Sequence, residues 1–535
     1  MRKWLWKRLK IAGFTLLGLI LITFLLPYFF PEFVAKKIKI WSNQALATEV
    51  NFSKARLSFF NHFPSLTLTL HDFTLKGSAP FSNANLVQAD EVALGIDLSS
   101  IFASKININQ IFLDKGKIDI QVSVDGQPNY NVYKSEPDTA TIAAAPDSAG
   151  ASLKLENIHL DKTELVYNDR SLPMTITAKG FHYTGSGDLS KAIFDLHSDL
   201  RIDSFKLAYD GQTYITDKKL QADLITKINT NSLTLLFEKN DLLINRLPVQ
   251  LHGIFEFLKD GYNMDFNLRS KETDLHDVIT AIPQEYLHYF DNTEINGHTE
   301  IVASLKGNYS AATNDMPSLA FNMKVTDGFV SHNKAKLPAK NLRLNLDAKL
   351  PALNTDSLTI SIDSFFFNID KDYFNSVIFL KGLNVPYIKS SLQADMDLAS
   401  LGAAFGLKDM EFKGRYRLNF NADGFYKTGQ KPGSHRKDTV ITSIPVFSLE
   451  SSLTDGFIKF AALPQGVEQI SFKLNADCKD GVYEHTQLNV QEINAKVLSN
   501  YIKGHFNIVN AADFPLEGQL QTVFHLSDIK QFYPL

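Results

Sequence analysis

Two hydrophobic patterns divide the chain. The first is a continuous apolar run from Ile11 to Phe30, preceded by Arg2, Lys3, Lys7, Arg8 and Lys10. At about 1.5 Å per residue such a run extends roughly 30 Å as a helix, the thickness of a bilayer core. It predicts one membrane-spanning helix, and the denser basic cluster on its N-terminal side predicts a short cytoplasmic tail with the remainder translocated. Lys36, Lys37 and Lys39 follow the span more sparsely. A cleavable signal peptide is the alternative, with Ala45-Leu46-Ala47 as its cleavage triplet; that triplet stands well beyond the run, and the run is longer than a signal core. Phe33 to Leu46 then carries helical spacing, with Phe33, Ile40 and Leu46 on one side.

Beyond this point the period changes to two. Leu66, Leu68 and Leu70 alternate with Thr67 and Thr69; Val92, Leu94, Ile96 and Leu98 alternate with Ala93, Gly95 and Asp97; Ile118, Ile120, Val122 and Val124 alternate with Asp119, Gln121 and Ser123. This alternation predicts strands with one apolar and one wet face. Asp125-Gly126 predicts a type I′ hairpin turn, which needs positive φ at both central residues. Ser135 to Ser152, rich in Ala, Pro, Asp, Ser and Thr, reads as a linker, and Ser310–Met316 and Thr428–Thr439 as further interruptions. Leu153, Leu155, Ile158 and Leu160 restart the strand pattern, which continues through Leu342, Leu344 and Leu346 to Leu488 and Val490.

The second half repeats itself. Glu294, Gly297, Gly307 and Tyr309 recur at the same spacings as Glu411, Gly414, Gly424 and Tyr426. Pro317 with Thr326-Asp327-Gly328-Phe329 recurs as Pro445 with Thr454-Asp455-Gly456-Phe457. Leu392-Gln393, Leu398 and Leu401 recur as Leu520-Gln521, Leu526 and Ile529, and Leu275 with Val278 matches the Leu398 and Leu401 pair that opens a short helix. Ordered landmarks at matched offsets predict tandem units. The expected divisions are a tail and span over 1–30, an N-terminal module over 31–134, the linker 135–152, a β-domain with a partial repeat over 153–293, and repeat units over 294–410 and 411–535. Leu535 falls just after the third helix begins, so either a shortened member of its class or a chain that continues further is expected.

Composition supports strands: 40 Phe and 18 Tyr stand beside only 3 Trp and 7 Met. A net charge of -4 supplies no basic field for nucleic acid. Cys478 is the single cysteine and allows no internal disulfide. The search for chemistry returns near misses. Gly424 and Gly429 have phosphate-loop spacing, but Gln430 and Lys431 follow where Lys and Ser or Thr are required. Asp395 and Asp397 flank Met396 without the Gly turn or distal Glu of a calcium loop, and their place before a short helix favours capping. The 14 His form no zinc motif, Gly185-Ser186-Gly187 is a turn rather than a nucleophile elbow, and His435-Arg436-Lys437 is a small basic loop. No enzyme activity, cofactor or metal is expected.

The fold class expected is mainly β: an N-terminal transmembrane helix followed by an elongated antiparallel β-repeat that forms a curled groove or open taco-like solenoid, with few short helices. What covers its apolar face is then the functional question, because exposed apolar surface is disfavoured by roughly 25 cal/mol per Å². A dry sandwich core is one answer. A hydrophobic ligand is the other, since helices are too few to cover the face.

The run Ala55-Arg56-Leu57-Ser58-Phe59-Phe60-Asn61-His62-Phe63-Pro64-Ser65-Leu66, with Leu75-Lys76-Gly77, Pro80-Phe81, Ala89-Asp90, Val92, Asp97-Leu98, Val124-Asp125-Gly126 and Asn129-Tyr130, resembles the N-terminal signature of the AsmA family of bacterial envelope proteins. The order of anchor, module, Ala/Pro-rich linker and β-repeats is similar throughout, the N-terminal module being the most specific part. The resemblance implies a single-pass protein of the Gram-negative inner membrane, its bulk in the periplasm, linked to outer-membrane biogenesis and to targeting or assembly of outer-membrane proteins. Larger TamB-like relatives resemble chorein-type bridge proteins whose groove carries phospholipid, and the family brings no catalytic residues. Leu66, Leu68, Leu70, Ile118, Ile120, Val122 and Val124 are the candidate groove residues, with core packing as the alternative for each. The partners expected are membrane phospholipid and, in a second reading as an elongated scaffold, outer-membrane proteins.

Overall fold

The computed structural model describes residues 46–58, 66–96, 107–132, 152–188, 191–229, 232–258, 260–310, 312–405, 407, 409–430, 439–510 and 515–528, with Lys36, Lys39, Ile40 and Ser42 before them. The apolar run Ile11–Phe30, most of the expected Phe33–Leu46 helix, Leu98 and the expected linker up to residue 151 lie outside the described residues. Among the described residues no helix is long and apolar enough to cross a membrane.

The described chain is mainly strand and divides into two compact units at Asn245/Arg246. The first holds β1 (Val50–Asn51), β2 (Lys54–Ser58), β3 (Leu66–Lys76), β4 (Asn85–Ile96), β5 (Asn107–Val122), β6 (Ser152–Asp169), β7 (Met174–Ser186), β8 (Ile193–Tyr209), β9 (Gln212–Asn229) and β10 (Thr234–Ile244). β1 and β2 both pair with the outer edge of β3, and from β3 each strand pairs with the next in sequence up to β10.

One junction departs from the antiparallel sheet that alternation predicts. β5 and β6 run parallel, with Leu113 opposite Leu160 and Ile118 opposite Leu165, so the sheet is mixed. The reason lies in chain length: the stretch between Val122 and Ser152 is long enough for the return crossover that a parallel pair demands. The Asp125-Gly126 turn is present but is not type I′. Gly126 alone takes positive φ, at 75°, and its N–H donates to the Ser123 carbonyl at 3.0 Å while the Ser123 N–H donates to the Gln127 carbonyl at 2.9 Å. This is the three-residue hairpin loop closed by a left-handed glycine. No strand follows it; the chain is instead held by Asn129, fully buried, whose Oδ1 accepts from the Gln121 N–H at 3.0 Å and whose Nδ2 donates to the Asp119 carbonyl at 2.7 Å.

The second unit holds β11 (Leu247–Leu258), β12 (Gly261–Asp274), β13 (Thr293–Tyr309), β14 (Ser318–His332), β15 (Ala339–Leu350), β16 (Thr359–Ile369), β17 (Asp372–Lys381), β18 (Tyr387–Asp397), β19 (Met410–Phe425), β20 (Lys427–Gln430), β21 (Thr439–Ser443), β22 (Val446–Phe460), β23 (Val467–Cys478), β24 (Gln487–Val497), β25 (Asn500–Ile508) and β26 (Leu516–Val523). Each strand pairs antiparallel with the next, except that β19 pairs with β22 while β20 and β21 form a separate hairpin. At the first expected interruption Ser310 and Asp315 exchange backbone hydrogen bonds at 3.1 Å; at the second, Thr428–Gln430 belongs to β20 and Thr439 opens β21, with 431–438 outside the described residues. The expected divisions at 293/294 and 410/411 fall at the starts of β13 and β19, inside this unit.

Candidate functional site

Period-two alternation lines up apolar residues across paired strands, because Cα partners project to the same side of a sheet. In the first unit the partners Ala55, Leu70, Val92 and Leu113 continue as Leu160, Tyr183, Leu200, Ala222 and Leu242, one residue from each strand of β2 to β10. In the second unit Thr273, Thr299, Val325, Leu344, Phe365 and Ser376 are successive partners. The same row goes on through Leu392, Phe420, Leu449, Ala476, Leu488 and Ile508 to Leu516.

Burial is uneven along these rows. Ala55, Leu70, Val92 and Leu113 are buried, whereas Leu160, Tyr183 and Leu200 are half-buried. In the second unit Thr273, Thr299 and Val325 are buried, the apolar residues from Leu344 to Ile508 are half-buried, and Leu516 is 52% exposed.

Helices cause part of this gradient. Asp397 caps the helix Leu398–Ala404 by accepting from the N–H groups of Ala399 and Ser400 at 2.7 and 3.1 Å, and Asp274 caps Leu275–Ala281 by accepting from the His276 N–H at 2.7 Å. Leu398, Leu401 and Phe405 pack on a cluster that includes Val325, Leu342, Phe367 and Met396, and Leu275 belongs to the same cluster. The Leu398–Ala404 helix, about 10 Å long, touches β14, β16, β18 and β19. A flat sheet would hold β14 and β19 about 24 Å apart, so the sheet curls around the helix. Few as they are, the helices do cover this stretch of the apolar face, which alternation alone did not anticipate.

Asp395 and Arg417, out of phase with Met396 and Leu418, carry charge on the other face. The Arg415 guanidinium bonds both Asp372 and Asp395, at 2.6 Å to Asp395, and Arg417 reaches Asp395 at 3.3 Å. Burial alone would raise the Asp395 carboxyl, but these hydrogen bonds outweigh it and hold it below the ordinary carboxylate range. The paired acids that the sequence set apart are thus a helix cap, Asp397, and a cross-strand anchor, Asp395. Among the described residues no group of His, Cys, Asp and Glu stands close enough to hold a metal ion.

The candidate groove residues meet different fates. Leu68 and Leu70 are closed into a cluster with Val50, Phe52, Ala55 and Ile96, because β1 and β2 fold back on the edge of β3. Leu66, Ile118 and Ile120 are half-buried. Val122 is buried at the end of β5, where the Arg170 N–H donates to its carbonyl at 3.0 Å. Val124 is not on the strand: it sits in the turn, 73% exposed. The expected wet face of β3 is also covered, Thr67 being fully buried and Thr69 nearly so. Outside the groove candidates stand Leu160, which alternation had already placed on a strand, and Tyr183, Leu200 and Phe420, which it had not singled out; their place in common rows only pairing reveals.

A family model, that of the AsmA family, matches residues 5–366. The chain belongs to the AsmA family. No curated protein and no solved structure matches it. The AsmA match covers the N-terminal module, with Gly77 and Asn129 of its signature in contact: a Cβ on Gly77 would stand 3.0 Å from that of Asn129, and the Ser78 N–H donates to the Asn129 carbonyl at 2.8 Å. The signature thus marks how the segment after the turn is fastened to the strands. In this AsmA protein Gly424, the phosphate-loop near miss, is a repeat landmark instead: it lies against Pro445 as Gly307 lies against Pro317, with Cβ-to-Cα approaches of 3.0 and 3.4 Å.

Proposed function

We propose that this AsmA protein is anchored in the bacterial inner membrane by Ile11–Phe30, extends into the periplasm, and serves outer-membrane biogenesis by binding or conducting phospholipid along the apolar face of its sheet. The observation that supports this reading is the row from Val325 to Leu516, continuous over successive strands, in which the apolar residues from Leu344 to Ile508 are only half-buried and Leu516 is exposed, Ser376 alone being buried among them. Acyl chains on such a row leave water while headgroups stay at the solvent edge. Nothing in the reading asks for catalysis or a cofactor, and direction would come from partners or a gradient.

Photo-reactive side chains at Ile120 and Phe420, in the full chain in cells, test it. Phospholipid adducts at these positions are expected. Labelling of neighbouring protein alone would remove the lipid reading, and capture of unfolded outer-membrane strands by a lipid-free protein would favour the scaffold reading.

A further inference from the structure

We propose that the wet face of the second unit carries a binding groove for a neutral oligosaccharide, running across β16, β17, β18, β19, β22 and β23. It lies on the side of the sheet away from the apolar row and does not depend on the lipid reading above.

Two rows of cross-strand partners form its floor. Val377, Ser391, Asn421, Ser448 and Asp477 are successive partners, and beside them run Phe379, Lys389, Asp423 and Val446. All of these residues line one cavity of about 570 Å³, a size typical of small-ligand sites. Strands about 4.8 Å apart give the groove a length of roughly 24 Å, enough for an extended chain of several sugar rings.

The chemistry of the lining selects a sugar. Val377 and Val446 stand on this wet face 44% and 43% exposed, and Phe379 is half-buried, edge to face with Tyr387 at 6.2 Å. Between these apolar groups Ser391, Asn421 and Ser448 supply two hydroxyls and an amide, each able to donate and to accept. A pyranose ring matches this mixture, with C–H groups on its faces and hydroxyls around its rim. Charge is close to balanced: Asp363, Asp423 and Asp477 stand against Lys389 and Lys479, and Lys389 Nζ lies 3.4 Å from Asp423. Neither a polyanion nor a polycation finds a net field here.

Other occupants fit less well. Lys389 and Asp423 interrupt the row between Phe379 and Val446, so an acyl chain would cross charge. Each of the six strands is paired on both sides, so no backbone groups are left to receive an added peptide strand.

Calorimetric titration of the full chain, in a detergent without a sugar headgroup, tests the groove with the β-1,4-linked pentamers of glucose and of N-acetylglucosamine. Saturable binding of at least one pentamer is expected, with the dimer of the same sugar about tenfold weaker because it engages fewer strands. Asn421→Ala is expected to weaken the pentamer about tenfold. Ser448→Trp, which fills the groove from an exposed position, is expected to abolish binding while the unfolding midpoint stays that of the parent. Failure of both pentamers to bind the folded parent overturns the proposal, as does binding equal for dimer and pentamer or indifferent to both substitutions. Binding that appears only after deletion of 431–438 also overturns it, since the occupant is then the chain itself. None of these outcomes touches the lipid reading, which concerns the other face.

Discussion

Gly297 and Gly328 meet backbone to backbone: a Cβ on Gly297 would stand 2.8 Å from the Cα of Gly328. Gly414 and Gly456 repeat the contact at 2.8 Å. Each contact sits at a break in the ladder, between Asn296 and His298 and between Lys413 and Arg415, and Asp327 and Asp455 beside it take φ of 53° and 51°. The two sequence landmarks, Glu-x-x-Gly and Thr-Asp-Gly-Phe, are therefore opposite sides of one β-bulge.

Gly297→Ala is expected to destabilise the second unit. Gly297 takes φ of 148°, and the added methyl has only backbone to displace. The strain of such a position is about 1–3 kcal/mol. Urea unfolding monitored in the second unit checks it, and a midpoint equal to that of the parent would contradict the bulge account.

Ser376→Ala is expected to stabilise. Ser376 is 1% exposed in the apolar row between Phe365 and Leu392, and its Oγ has no hydrogen-bond partner among the described residues. An unpaired buried hydroxyl costs about 1–3 kcal/mol. A lowered unfolding midpoint would show that the hydroxyl is bonded after all.

Acid should loosen the β18–β19 contact. Asp395 has a folded pKa below its unfolded one, so its contribution is complete above the ordinary carboxylate range and is lost as pH falls through the folded value. Asp395→Asn is expected to flatten this part of the acid dependence. Amide exchange in β18 and β19 at descending pH measures it, and an unchanged profile in the variant would count against the ion network.

His485 should hold its proton above the usual histidine range. Its hydrogen bond to Asp480, at 2.6 Å, raises the imidazole and lowers the carboxyl. The pair opens as pH rises through the folded His485 value and as it falls through the folded Asp480 value. Proton NMR titration is expected to return His485 toward its ordinary pKa in Asp480→Asn; no change would place the cause elsewhere.

Much of the architecture was legible along the chain. Alternation at Leu66–Leu70, Val92–Ile96 and Ile118–Val122 falls on β3, β4 and β5, and the Leu275 and Leu398 positions open short capped helices. Other features were not. The parallel β5–β6 pair depends on where a long connection returns, and Val124 left its strand because the turn closes on Ser123.

The sequence by itself determined the strands, the helix caps and the membership of the AsmA family, because each depends on residues within a few positions of one another or on ordered local motifs. Only the tertiary structure decided which apolar residues are covered. Leu70 is sealed and Phe420 half-open although both obey the same alternation, because coverage comes from segments such as Leu398–Ala404 resting on Val325, and distance along the chain says nothing about which surface a segment will meet.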